Sequence, residues 1–221
     1  MKSSAKNIKL ASVDDLFKTD EGRADDERER VQEIAISELH PFKDHPFKVL
    51  DDEKMMETVE SVQQYGVLVP IIARPSPEGG YEIVSGHRRH RACELAGKET
   101  IPVIVRELDD DEAVLLMVDS NLQRETILPS ERAFAFKMKL DAIKHQGTRS
   151  DLTSTQVAQK LSVQKVGDEA GVSKDTVRRF IRLTELIPPL LDMVDEKKIA
   201  FNPAYELSFL KPEEQQMLIE T

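Results

Sequence analysis

Three arginines fall within four positions, Arg88, Arg89 and Arg91, directly after Ser85 and Gly86 in the stretch Glu82–Gly97. The order is strand, glycine, helix. A helix start carries unpaired N–H groups and a partial positive charge, which suits phosphate. Gly86 allows a close backbone approach. Arginine forks match pairs of phosphate oxygens, and three of them repel one another unless an anion or carboxylates intervene. The competing reading is a solvated basic face paired with Glu94, Glu99 and the acidic residues 109–112. His87 and His90 belong to the same helix, but no Cys/His set accompanies them to suggest zinc.

A second polar cluster runs from Asp119 to Thr126, at the end of an acidic helix. Asn121, Gln123 and Arg124 have the chemistry to contact a nucleotide or its metal. A plain helix end running into a loop accounts for them equally well.

A third pattern occupies residues 163–183. A helix ending near Ala170, a turn at Gly171, Val172 packing beneath it and Ser173 as a cap lead into a second helix. That second helix places Val177, Phe180 and Ile181 on one face. Lys174, Thr176, Arg178, Arg179 and Arg182 stay polar, four cations against Asp175 alone. Such a helix fits the major groove of DNA, and the alternative is a helical hairpin with a charged outer face. Thr176 and Arg178 suit base edges, Lys174 and Arg182 suit phosphates, and Arg179 suits either.

The elements that must position these residues follow from periodicity. Residues 1–31 mix charge signs with little to bury and read as a mobile arm with a short helix near Val13–Lys18. Strands are expected at Val31–Leu39, Val67–Arg74, Tyr81–Val84 and Ile101–Val105. Helices are expected from Asp51 or Asp52 to Tyr65, with Met55, Met56, Val59 and Val62 inward, and at His87–Ala96 and Asp109–Asp119. Beyond Pro129 the pattern is helical only: to about His145, then, after a polar linker Thr148–Ser154, Thr155–Leu161, Val163–Ala170, Lys174–Leu186, Pro189–Lys197, Asn202–Leu210 and from Pro212 onward. The fold class is therefore α+β: an α/β domain at 32–125, then an all-helical domain at 126–221. The net charge of −10 over 221 residues opposes unspecific nucleic-acid binding, so any DNA contact must be local. No apolar run approaches the ~18 residues of a membrane span. A lone cysteine, Cys93, makes no internal disulfide and fits a reducing cytoplasm.

Taken together, the chain resembles the ParB/RepB/Noc family. Val67–Pro75 resembles its first nucleotide box, which adds Val69 and Ile71 to the candidates. Gly86–Ala92 (GHRRHRA) resembles its GERRxRA box, and Ser120–Glu125 (SNLQRE) its ENxQRE box, with the helix-turn-helix following in order. The resemblance covers about residues 31–221. It implies a dimeric, cytoplasmic, nucleoid- or plasmid-associated partition protein that loads at a palindromic centromere-like site. It further implies CTP and magnesium as cofactors, a sliding clamp, and a ParA-type ATPase contacted by the arm.

The departures from the family pattern bear on chemistry. His87 and Ser120 stand where the family usually has glutamates, and an imidazole and a hydroxyl do not replace hard carboxylate ligands for magnesium. Asn121 is left as the candidate metal ligand. In the loop Pro46-Phe47-Lys48, Phe47 stands where an arginine is usual, with Lys48 beside it as a point charge. The expectation is nucleotide binding with weak or absent hydrolysis. Two other readings compete. One is a static transcriptional regulator. The other is an enzyme, either sulfiredoxin-like through Cys93 or a nuclease through Asp109–Glu112. The mid-helix setting of Cys93 and the helix-start setting of the acids argue against both enzymes.

Overall fold

The computed structural model describes residues 30–124, 126–149 and 156–220. The arm, most of the linker and Glu125 lie outside the described residues. Five strands form one mixed sheet: β1 (Val31–Ala35), β2 (Leu39–Pro41), β3 (Ile71–Pro75), β4 (Tyr81–Ser85) and β5 (Thr100–Val105), in the order β1-β5-β3-β4-β2. The segment Val31–Leu39 is not one strand. A turn of 3₁₀ helix at Ile36–Glu38 divides it, and its two parts lie at opposite edges of the sheet. Four strand spacings amount to about 19 Å, whereas the chain from Ala35 to Leu39 reaches about 14 Å. The sheet must therefore curl until its edges approach. Val67–Pro70 lies outside β3, and Leu68 and Val69 are exposed.

Helix α1 (Glu53–Tyr65) starts at Asp52, whose carboxylate accepts the Met55 N–H at 2.9 Å, and stops at Gly66 with φ +72°. Met55, Val59 and Val62 are buried as expected, but Met56 is 54% exposed. One residue is a 100° step around a helix, so Met55 and Met56 cannot share a narrow apolar stripe. Helix α1 and α2 (His87–Leu95) pack on one sheet face over Ile71, Ile83, Ile101 and Val103. Cys93 is fully buried there, and burial pushes its thiol pKa up, so it packs. Helix α3 (Asp110–Leu122) covers the other face through Ala113, Met117 and Val118. The acids at its start hold it in place: Asp109 and Glu112 form a capping box, and Asp110 pairs with Arg74 at 2.8 Å.

Helix α4 (Pro129–Arg149) is the spine of the molecule. Its Ala135 packs with α3, its Phe136 and Leu140 meet α5 (Gln156–Glu169) and α6 (Lys174–Arg182), and its Ala133 meets the final helices. It continues through Gly147, and the two helices expected at Thr155–Leu161 and Val163–Ala170 are one helix, α5. Ser162 ends no helix because nothing in the stretch breaks the backbone ladder. The final helices are α7 (Pro188–Asp195), α8 (Phe201–Leu207) and α9 (Pro212–Ile219). Gln215 is fully buried and anchors α9: it accepts from Ile187 N and donates to the carbonyls of Glu185 and Leu210.

Candidate functional site

Helix α2 begins without a side-chain cap. Gly86 sits at φ +106°, and a Cβ there would lie 2.6 Å from Ile71 Cγ2. Only glycine lets β4 turn so tightly over β3. The first intrahelical bond of this turn is His90 N–H to Gly86 O. The amides of His87, Arg88 and Arg89 precede it, so a first turn of N–H donors borders a cavity of about 180 Å³. Ser85, Gly86, His87, Arg88 and Arg89 line it from one side, Ser120, Asn121 and Arg124 from α3, and His45 and Val49 from the loop after β2. The second and third boxes, whose starts at Gly86 and Ser120 lie 34 positions apart, meet here. A larger cavity of about 700 Å³ adjoins and shares Arg88 and Arg124.

The arginines have different partners. Arg91 pairs with Asp51 at 2.6 Å and with Glu94 at 3.2 Å, which raises its own pKa and lowers that of Asp51. It ties α2 to the segment before α1 and does not line the cavity. Arg88 makes a long contact of 3.4 Å to Asp52. Arg89 donates to the carbonyls of Val69 and Pro70 at 2.5 and 2.6 Å and pairs with no carboxylate among the described residues, and burial lowers its pKa. Val69 thus reaches the site through its backbone, while the Ile71 side chain is wholly buried beneath Gly86. The Arg124 guanidinium has no hydrogen-bond or ion-pair partner among the described residues. The site is a cluster of cations short of countercharge, which favours an anion.

The histidines do not add to that charge. The His45 and His87 rings lie 3.8 Å apart. Phe42 N–H donates to His87 Nε2 at 3.4 Å, so the neutral ring carries its hydrogen on Nδ1. Burial, and then the proximity of His45 and His90, hold the His87 pKa down to about 3. Burial likewise lowers that of His45, whose Nδ1–H donates to Phe47 O at 2.7 Å. His45 and Val49 were not legible as site residues, because nothing in the loop's own pattern aims it at α2. Phe47 is a core side chain, 2% exposed, so it does not obstruct the site. Lys48 turns to Asp192 and Asp195 at 3.6 and 3.5 Å. Gln123 lines a separate cavity beside Lys139, away from Arg88.

Magnesium prefers six hard oxygens, usually with one or two carboxylates. Among the described residues the side-chain oxygens lining the smaller cavity are the hydroxyls of Ser85 and Ser120 and the amide of Asn121, all neutral. Ser120 Oγ donates to Met117 O, and Asn121 Nδ2 donates to the same carbonyl. In the adjoining cavity Asp52 caps α1, Glu131 accepts from Lys48 and Leu128 N–H, and Asp195 accepts from Ser130. Among the described residues no group of three or more His, Cys, Asp or Glu side chains is arranged to hold a metal. A dication among three guanidinium groups would also be repelled. The donor set does not fit magnesium.

Residues 20–122 match the ParB N-terminal domain. The chain belongs to the ParB family. It is 38% identical over 183 residues to the stage 0 sporulation protein J of Bacillus subtilis, 83% of this chain and 59% of that one. It is 31% identical over 194 residues to the nucleoid occlusion protein of Halalkalibacterium halodurans, 88% and 62% of the respective chains. The chain thus spans about three fifths of the length of these relatives. Its fold is similar to that of the C-terminally truncated chromosome-partitioning protein ParB from Caulobacter crescentus complexed to the centromeric parS site. That match has a TM-score of 0.51 and 26% identity, and covers 86% of this chain and 91% of that one.

The second candidate site of this ParB-family chain is the pair α5–α6. Gly171 takes φ +66°, and Val172 N–H bonds to Gly167 O at 2.9 Å. A Cβ on Gly167 would lie 2.7 Å from Val172 O, so this second glycine lets the turn seat on α5. Ser173 accepts the Thr176 N–H and meets the Thr176 hydroxyl at 2.9 Å. Val177 is buried against Phe136 and Val166. The arginines of α6 divide. Arg178 is exposed and, among the described residues, pairs only with Asp175, one turn away. Arg179 lies over Phe201 and Tyr205 and bonds Asn202 at 2.6 Å. Arg182 lies over Phe209 and bonds Ser208 O at 2.7 Å. Lys174 is exposed. The free cationic surface of α6 is its first turn and a half. Among the described residues no helix is long and apolar enough to cross a membrane.

Proposed function

We propose that this chain is a DNA-partition protein that binds a centromere-like site through α5–α6 and CTP at the start of α2, and that the nucleotide converts site-bound protein into a clamp that slides along DNA. One observation carries the reading: the second and third sequence boxes, distant in sequence, converge on one cation-rich cavity at an uncapped helix start. The nucleotide domain comprises residues 32–125 and the DNA-binding domain 126–221. The triphosphate is held by the amides of the first α2 turn with Arg88, Arg89 and Arg124. Ser173 and Lys174 meet the DNA backbone, and Thr176 and Arg178 reach base edges. Arg179 and Arg182 set the angle of α6 against α8. The functional form is a homodimer on a palindromic site, on the nucleoid or a plasmid, with residues 1–31 meeting a ParA-type ATPase. The Caulobacter relative's complex with a parS site supports the DNA assignment.

The test uses DNA carrying a site selected from genomic fragments, with both ends blocked or both free. CTP should raise the amount of protein retained on blocked DNA several-fold, and ATP, GTP and UTP should not. Equal retention with and without CTP overturns the clamp and leaves a static site-bound regulator.

A further inference from the structure

We infer that the α2 cavity binds its nucleotide without a divalent cation, the arginines taking over the neutralisation a metal would supply; this rests on the nucleotide reading above. At neutral pH a triphosphate brings close to four negative charges. Arg88, Arg89 and Arg124 offer three positive ones around one cavity, joined by the helix-start amides. Arg89 is held in place by two carbonyls and the Arg124 guanidinium has no hydrogen-bond or ion-pair partner among the described residues, so two of the three need not break an ion pair to receive phosphate. Arg88 must exchange its 3.4 Å contact with Asp52, a weak one.

The same surroundings disfavour a metal. Among the described residues the side-chain oxygens of the cavity are neutral, and Ser120 Oγ already accepts a hydrogen bond from Asn121 Nδ2 at 3.3 Å. Asp52, Glu131 and Asp195 are each engaged in capping or backbone bonds, so drawing one toward a metal would uncap α1 or release the start of α4. His87 Nε2 faces the Phe42 N–H and is not free to ligate. A site without a bound metal also lacks the usual means of activating water and bridging the β- and γ-phosphates. The bound nucleotide is therefore a persistent ligand and its release is governed by dissociation.

Calorimetry of the whole chain with CTP in excess EDTA and in millimolar magnesium decides this. The two dissociation constants should agree within about twofold, and phosphate release from CTP should stay at the no-protein background. Tenfold weaker binding in EDTA overturns the inference and leaves CTP binding intact. No binding in either buffer overturns the nucleotide reading itself. The double variant His87→Glu, Ser120→Glu places two carboxylates on the cavity wall. It should make binding at least tenfold dependent on magnesium, and a variant that still binds equally well in EDTA would show that cavity carboxylates do not govern metal dependence, which also overturns the inference. Glu125, outside the described residues, is checked by Glu125→Gln: a loss of affinity confined to the magnesium buffer would place a metal ligand there and overturn the inference.

Discussion

Helices α2 and α6 are both nine residues long, both begin beside a glycine-containing turn, and both carry three arginines. In sequence both read as short helices with cations crowded along them. In the folded protein the cations of both helices divide in the same way, but against different partners. On α2 the first-turn arginines are short of countercharge, Arg89 held by carbonyls and Arg88 by one long contact, while the last, Arg91, is an ion-pair staple. On α6 the first cationic residues are exposed, and the last two arginines are covered by aromatic rings of α8 and the segment after it. Charge at the start of each helix is available for a ligand, and charge further along holds the helix in place. This division comes from partners 20 to 40 residues away, so it is a tertiary property and not a helical one.

The comparison fails most visibly if the α2 turn tolerates change. Gly86→Ala adds a Cβ at 2.6 Å from Ile71 and forces a φ of +106° on a residue with a side chain. Overpacking and left-handed strain together should cost about 3 kcal/mol, with CTP binding lost. Gly79→Ala is the control: its φ is +98°, but nothing lies within 4 Å, so strain alone should cost about 1 kcal/mol. Urea unfolding of both variants measures the difference. Equal losses would mean that backbone strain, not the contact with Ile71, fixes the turn.

The α6 division is sharpened by separating DNA affinity from stability. Arg178→Ala should weaken specific DNA binding about tenfold or more, in the range of one base contact, with an unchanged unfolding midpoint. Arg182→Ala should lower stability by about 2 kcal/mol, since it removes a charged hydrogen bond to Ser208 O and the contact with Phe209. Its DNA affinity should follow stability and not the salt concentration. The opposite pattern, a stable Arg182→Ala protein with a flattened salt dependence, would return Arg182 to the phosphate-binding role expected from sequence.

These outcomes bear on what the sequence makes legible. The glycine before α2, the Gly-Val-Ser turn and the apolar stripe of α6 are local patterns legible from spacing, and the boxes are legible through the family resemblance. What is missed depends on distant partners. The break at Ile36–Glu38 is invisible because both flanking pieces alternate like a strand, and only the sheet order separates them. His45 reaches the cavity because Phe42 and Phe47 bury themselves on α3 and draw the loop over α2. Gly167 looks like a weak point within a helix until the turn is seen to press on it.

The smallest effect concerns the neutral imidazole beside the arginines. His87 has its pKa lowered to about 3 in the folded chain from an ordinary 6.5. The unfolded chain therefore binds the extra proton first as pH falls. The contribution is fully present above pH 6.5 and is lost progressively as pH falls from there toward the folded value. By pH 5.5 the difference from neutral pH should be about 1 kcal/mol. His87→Gln keeps a polar side chain at the position and removes the titration, so its stability should fall less between pH 7.5 and 5.5 than that of the parent. His45 packs against the same ring, and burial lowers its pKa too, so a residual slope should remain and should disappear in the double variant His45→Gln, His87→Gln. If parent and His87→Gln lose stability in parallel, the folded chain protonates His87 as readily as the unfolded chain does, and the ring is cationic at pH 5.5. The cavity would then hold a fourth cation, and its preference for an anion would rest on an imidazolium as well as on the arginines.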